Sequence, residues 1–376
     1  MQTELKCPSP RSVNPGSRKG IFPNTDLGFA DSHDRRMETF SLRGSPGAIQ
    51  IACLALALFP FAGVAQQPSA FKSGVLITES ASNSLRVEIN GELFTEYRFG
   101  ANEPRPSFYP LLGPGGSGMT RNWPMKEIPG EEHDHVHHRG LWFTHGKVNG
   151  VDFWTEGPTQ GRIVHRGFAE IKSSALQGSI KSRNDWLAAN GQVICSDERV
   201  FRVHARNHNE RLFDFEITLL ASHGELTLGD TKEAAMAIRV AETMRVTKPT
   251  PKGQKPVPGD GRIITSTGAL NQDAWGKRAA WCDYSGPVAG KILGIAIFDH
   301  PSNPKHPTWW MVRDYGLFAA NPFGQHEFEK TSNPHSGDIV VSAGGSVTFR
   351  YRFYLHEGDE KQARVAERFA EYARTK

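Results

Sequence analysis

The residues best able to do chemistry lie in one short stretch, His133 to Trp154, reading HDHVHHRGLWFTHGKVNGVDFW. It gathers five of the chain's fifteen histidines with Arg139, Asp152, Trp142 and Trp154, a density that packing alone does not call for. Imidazole titrates near neutrality, so His137 or His145 beside a carboxylate such as Asp152 or Glu233 could act as a general acid or base. If the segment is extended, side chains alternate, sending His133, His135 and His137 to one face and Asp134 and His138 to the other. Imidazoles spaced in this way could share a divalent metal, provided a further His or carboxylate came from elsewhere. The alternative is a polar pocket in which the histidines bond to backbone carbonyls and no ion is held. Arg139 and His145 flank Trp142, and Asp152 precedes Trp154, so polar donors and flat apolar faces alternate. Sugars suit that combination, because their C–H faces stack on rings while their hydroxyls need polar partners.

A second polar set lies between Asp299 and Phe328, where His300, His306, Arg313, Asp314, Asn321 and His326 occur. A local salt bridge is the plain reading of Arg313-Asp314. Lys232-Glu233 with Arg239 is a third group, for which a solvated charged face is the default.

These groups must be positioned by strands. GVLITE (Gly74 to Glu79) and SLRVEI (Ser84 to Ile89) read as strands, and Asn90-Gly91 is a hairpin turn into ELFTEYRF. Arg162 to Ile171, the segments on either side of Asn190-Gly191, and RLFDFEITLLAS continue the pattern, the last alternating Phe213, Phe215, Ile217 and Leu219 with polar residues. Asp230 to Met244 is ambiguous between helix and strand. Lys291 to His300 reads as a buried strand and Ser346 to His356 as an alternating one. Asp359 with Gln362 forms a capping-box pair, and Val365, Phe369 and Tyr372 share one helical face, which predicts a C-terminal amphipathic helix packed on the sheet. The proline-rich run from Lys248 to Gly261 reads as an insertion within one domain.

Of 376 residues, the first 65 carry seven Lys/Arg against five Asp/Glu, and the rest is close to charge balance, which argues against a nucleic-acid footprint. Ala48 to Ala65 is an apolar run of signal-peptide length ending in small residues, so the chain is expected to be exported to the periplasm or beyond. Met37 is the expected true start, with 1–36 an upstream extension, 37–65 the signal peptide and 66–376 one domain. Cys195 and Cys282 remain after processing, and two buried thiols is the simpler expectation for them. No CxxC clip is present, so any metal would rest on His and carboxylate.

HVHHRGLWFTHGKVNGVDFW, DTKEAAMAIRVAETM, RDYGLFAANPFG and RFYLHEGD together resemble the exported bacterial family labelled methane oxygenase PmoA-like, over roughly Gly74 to the C-terminus. Methane oxidation is set aside, because such a subunit needs several membrane spans and nothing after residue 65 is an apolar run near ~20 residues. The resemblance implies a mainly β protein, a large antiparallel β-sandwich resembling the galactose-mutarotase-like supersandwich, with a C-terminal α-helix. It carries over His135, His137, His138, Arg139, His145, Asn149, Asp152 and Trp154, with Glu233, Arg313, Asp314 and Asn321 from the later motifs. His133 falls outside the shared pattern, leaving His135 and His137 as the candidate metal pair. The expected function is a carbohydrate-active enzyme in which His137 or His145 works with Asp152 or Glu233. His138, Arg139, Trp142, Asn149, Trp154, Arg313, Asp314 and Asn321 would bind substrate, and epimerisation, elimination and hydrolysis all remain open. The alternatives are a non-catalytic sugar-binding protein, which would show an aromatic platform without a close His–carboxylate pair, and a His-ligated metalloprotein.

Overall fold

The structure, a computed structural model, describes residues 73–80, 83–250 and 254–375. The expected signal peptide and upstream extension, residues 1–65 with Cys7 and Cys53, lie outside these residues. Two eight-stranded antiparallel sheets dominate. The first runs, edge to edge, Val75–Ser80, Ser84–Ile89, Glu92–Arg98, Ser107–Leu111, Leu141–His145, Ala234–Arg239, Leu317–Asn321, Trp309–Val312. The second runs Arg262–Thr265, Trp281–Val288, Lys291–Asp299, Ser346–Glu357, Glu210–Leu220, Val193–His204, Gln177–Leu187, Arg162–Lys172. The first turn is set by local chemistry: Asn90 and Gly91 both take positive φ, 54° and 82°, as a tight hairpin requires.

Alternation assigns the faces. Phe213, Phe215, Ile217 and Leu219 from the second sheet meet Leu141, Phe143, Met236, Ile238 and Phe318 from the first in one continuous core. Burying such side chains contributes about 1.5–3 kcal/mol each, an upper range because the unfolded chain already hides some apolar surface. The opposite face of the first sheet is not left to water either: Trp142, Ala237, Met311, Leu317 and Ala319 form a second apolar layer with Trp154. Ala234–Arg239 is therefore buried along its whole length, between Leu141–His145 and Leu317–Asn321. That is why Asp230 to Met244 shows no clear period; it is a central strand followed by a short 3-10 turn, Glu242–Met244.

The outer face of the second sheet is covered by the C-terminal helix, Val365–Tyr372, whose Val365 and Tyr372, with Phe369 beside them, pack on Phe298, Trp281 and Tyr354. The capping box exists but sits earlier. Asp359 and Gln362 exchange hydrogen bonds, Gln362 N to Asp359 Oδ1 at 2.8 Å and Asp359 N to Gln362 Oε1 at 3.0 Å. They close a turn, and Arg364, at φ 56°, breaks the path before the helix starts. Cys195 and Cys282 are free, buried thiols. The Lys248–Gly261 insertion begins and ends as a small ribbon in which Thr247–Lys248 pairs with Val257–Pro258. Among the described residues no helix is long and apolar enough to cross a membrane.

Candidate functional site

The histidine stretch is not extended. From Glu131 to Gly140 the chain has no strand, His135 takes φ 41°, and His138 N donates to the His135 carbonyl at 2.9 Å, so the backbone turns back on itself. The predicted alternation of His133, His135 and His137 is therefore lost. Gly140, at φ 61°, makes the sharp entry into Leu141–His145, where a Cβ would run into the Phe108 carbonyl.

The turn instead builds a pile of rings on the outer face of the first sheet. Tyr315 stacks on His135 (5.3 Å between centroids, 8° between planes), His135 on His138 (4.7 Å, 8°), and His138 on Trp142 (5.4 Å, 21°). His137 meets the pile edge-on, 4.6 Å from His138 and 5.7 Å from His135. His133 is elsewhere, stacked on Trp123.

Below the pile two arginines with no exposed surface, Arg121 and Arg239, converge on Asp134. Arg121 bonds Asp134 Oδ1 and the Asp134 and His135 carbonyls, and Arg239 Nη2 bonds both Asp134 oxygens at 3.0 and 3.2 Å. Asp134 Oδ2 in turn lies 2.6 Å from His135 Nδ1. Burial alone would raise the Asp134 pKa, but the His135 hydrogen bond and the Arg239 and Arg121 charges outweigh it and hold the carboxyl well below the usual range. A permanently charged Asp134 fixes the tautomer: His135 carries its proton on Nδ1 and presents Nε2 as an acceptor. Among the described residues Nε2 has no protein partner, and with both ring faces covered the site can use His135 only through that edge.

Glu233 comes from the residue just before the central strand. Its carboxylate makes no protein hydrogen bond among the described residues. Burial raises its pKa, and Lys232, Arg313, Asp152 and His135 are all near enough for their charges to act on it. Arg239 Nη1 lies 3.2 Å from His138 Nδ1, and burial with the Arg239 charge keeps His138 neutral, its pKa well below the ordinary value. His137 is pushed down to about 4, by burial first and then by the Arg105 and His135 charges. Arg313, whose charge acts on Glu233, sits on the Arg313–Gly316 turn that also carries Tyr315, and the turn is pinned because Tyr284 Oη donates to the Arg313 and Asp314 carbonyls at 3.1 and 3.2 Å.

Several candidates from the sequence are placed differently. His145 shares the core-facing side of its strand with Leu141 and Phe143; it is fully buried against Phe323, neither ring nitrogen makes a well-formed hydrogen bond, and burial lowers its pKa to about 3. It cannot meet His137, which lies across the sheet. Asp152 spends its oxygens locally, accepting from Trp154 N at 2.7 Å, Thr155 N at 3.2 Å and the Thr155 hydroxyl, so it contributes charge rather than a free base. Arg139 is held by Glu156 through two 2.9 Å bonds and lines a separate hollow with Glu103 and Gln160. Asn149, in the turn joining Val148 to Val151, bonds the Glu225 carbonyl and Thr227 N. Asp314 accepts from Gln272, so no Arg313–Asp314 bridge forms. Asn321 donates to the Thr231 and Lys232 carbonyls at 3.0 and 2.9 Å, bracing the segment that carries Glu233. Trp142 and Trp154 are 1% exposed and offer no open face. Among the described residues no three His, Cys, Asp or Glu side chains converge as a metal-ligand set. His135 and His137 are tilted by 73°, and one nitrogen of His135 is already given to Asp134.

Sequence reasoning missed Asp134, Arg121 and Tyr315. Asp134 stood inside the histidine stretch and Tyr315 inside the RDYG turn, but nothing in the spacing of Arg121 pointed to the site.

A profile described as "Family of unknown function (DUF6807)" matches residues 84–370. No curated protein matches by sequence. Among solved structures, the GalM/aldose epimerase homologue from C. elegans is similar at TM-score 0.31 and 9% identity, over 76% of this chain and 100% of that one. A human-microbiome protein provisionally described as a kojibiose phosphorylase is similar at TM-score 0.27 and 10% identity, over 75% of this chain and 32% of the other. The PmoA-like label is not what the profile carries; the chain belongs to the DUF6807 family.

Proposed function

We propose that this protein is an acid–base enzyme acting on a sugar or sugar derivative, with His135 as the base and Glu233 as its acid partner. One observation carries the reading: an imidazole is fixed by a 2.6 Å bond to a charged aspartate with its other nitrogen free, and its charge acts on Glu233, a carboxylate with no protein hydrogen bond among the described residues. A general base needs a lone pair in a defined direction, and Asp134 with the ring stack supplies it. A general acid needs to keep its proton near neutrality, and burial moves Glu233 that way. His137, neutral at pH 7, and the Tyr315 hydroxyl add hydrogen-bonding groups suited to a polyol. The 2.6 Å His135–Asp134 pair and the enclosed tryptophans favour an enzyme over a sugar-binding module. Export, implied by Ala48 to Ala65, would put the substrate outside the cytoplasm.

The test is an NMR screen of mono- and oligosaccharides in D2O, reading anomer exchange, carbon-bound deuterium, new alkenes and glycosidic cleavage together. Conversion by the wild type that falls at least about 100-fold in His135→Gln and in Glu233→Gln supports the roles. Conversion that survives both substitutions would remove them.

A further inference from the structure

The cations around this site are not equivalent. Arg121, Arg239, Arg245, Arg105 and Arg139 each spend their guanidinium on protein carbonyls or carboxylates. Arg313 does not. Among the described residues its side chain forms no hydrogen bond or ion pair, and its Nε is buried without a partner. Its guanidinium carbon lies over the Trp275 ring, 4.7 Å from the ring centroid. Trp275 is itself held edge-to-face by Phe328 at 5.1 Å. The backbone beneath is rigid, with Arg313 N bonded to the Leu317 carbonyl at 2.7 Å and Gly316 N to the Arg313 carbonyl at 3.1 Å.

A guanidinium held over an indole with its N–H groups unspent can offer a two-donor fork to a planar two-oxygen anion. Glu233 feels the Arg313 charge yet forms no ion pair with it, and the adjacent Asp314 accepts from Gln272, so neither carboxylate quenches that edge. Leaving the buried Arg313 Nε–H unpaired costs stability, a cost that a ligand oxygen at this edge would remove.

We propose that Arg313 is the carboxylate subsite of this centre, and that the substrate is a sugar acid of the hexuronate class. The inference rests on the acid–base reading of His135 and Glu233 and narrows it. The substrate carboxylate lies against Arg313, which sets the sugar ring between Arg313 and the Nε2 edge of His135.

The experiment is equilibrium binding by calorimetry of D-glucuronate, D-galacturonate and D-mannuronate, each beside its neutral hexose, to the full chain and to Arg313→Gln, Arg313→Lys and Lys232→Gln. The expected result is a preference of about 10- to 100-fold for at least one acid over its hexose in the wild type. Arg313→Gln reduces it to within about twofold, Arg313→Lys keeps part of it as a point charge without the fork, and Lys232→Gln leaves it in place. Melting temperatures of all variants are recorded, and if Arg313→Gln fails to fold, Arg313→Lys decides. Equal affinity for acids and hexoses, or a preference that follows Lys232 rather than Arg313, overturns the subsite while leaving the acid–base reading intact. Binding of none of the six sugars overturns the assignment to this class. Loss of the acid–base reading shows separately, as sugar conversion that is insensitive to His135 and Glu233.

Discussion

Asp134→Asn is the sharpest perturbation of this site. The substitution keeps the shape of the side chain and removes its charge, leaving Arg121 and Arg239, both without exposed surface, facing an amide. Breaking a buried pair from one side costs about 3–5 kcal/mol. Asp134 is 22% exposed, and an amide oxygen still accepts one bond, so the lower end, about 3 kcal/mol, is expected. At roughly 1.5–2 °C per kcal/mol for a folded unit of this size, the melting temperature should fall by about 5–6 °C. Because the folded-state pKa is depressed, the stabilisation is complete above the ordinary carboxylate range and is lost progressively as pH falls from that range to the far lower folded value. The gap between wild type and variant should thus be constant from about pH 7 to pH 5 and narrow steadily below about pH 4. The assay is chemical denaturation at several pH values, with Arg239→Met and the double variant completing a cycle. A loss below about 1 kcal/mol, or a coupling near zero between the two positions, would refute the claim that this ion cluster holds the histidine turn.

His145→Leu should leave activity unchanged and stability equal or higher, since it removes a buried imidazole lacking well-formed hydrogen bonds; a hundredfold activity loss would contradict its placement in the core. His145 and His137 titrate at about 3 and about 4 in the fold but near the ordinary imidazole value when unfolded, so stability drops as pH falls from about 6.5 toward these values. His145→Leu should flatten that drop in acid melts. Asn321→Ala removes both braces on the Glu233 segment and should cost about 1–3 kcal/mol, together with faster amide hydrogen exchange at 231–234 that Asn321→Asp, which also lacks the two donors, reproduces. Metal analysis of the purified protein should give the same content for the wild type and the His135→Ala/His137→Ala variant; a stoichiometric metal lost only in the variant would restore the metal-site reading.

Much of the fold could be read from the chain because its signals are local. Ser84–Ile89, the Asn90-Gly91 turn and Phe213 to Leu219 announce themselves by a period of two and by turn chemistry, which neighbours a few residues away enforce. Ala234–Arg239 did not, since a strand buried on both faces has no alternation to show. The site divides in the same way. That imidazole clusters at His133–His138 is a property of the sequence, and so is the presence of Glu233 and Arg313 in separate motifs.

Which imidazole could work was decided by the tertiary structure. His135 is singled out by a carboxylate that Arg121 and Arg239 hold from more than ten and a hundred positions away, and by a Tyr315 that arrives from a distant turn. His145 is withdrawn by strand parity: one residue's difference from Thr144 turns its ring into the core. Residue types set what chemistry was available to this chain. Partners brought together by long-range sheet pairing set the tautomer, the exposure and the charge on which that chemistry depends, because each falls off over a few ångströms in space and is blind to distance along the sequence.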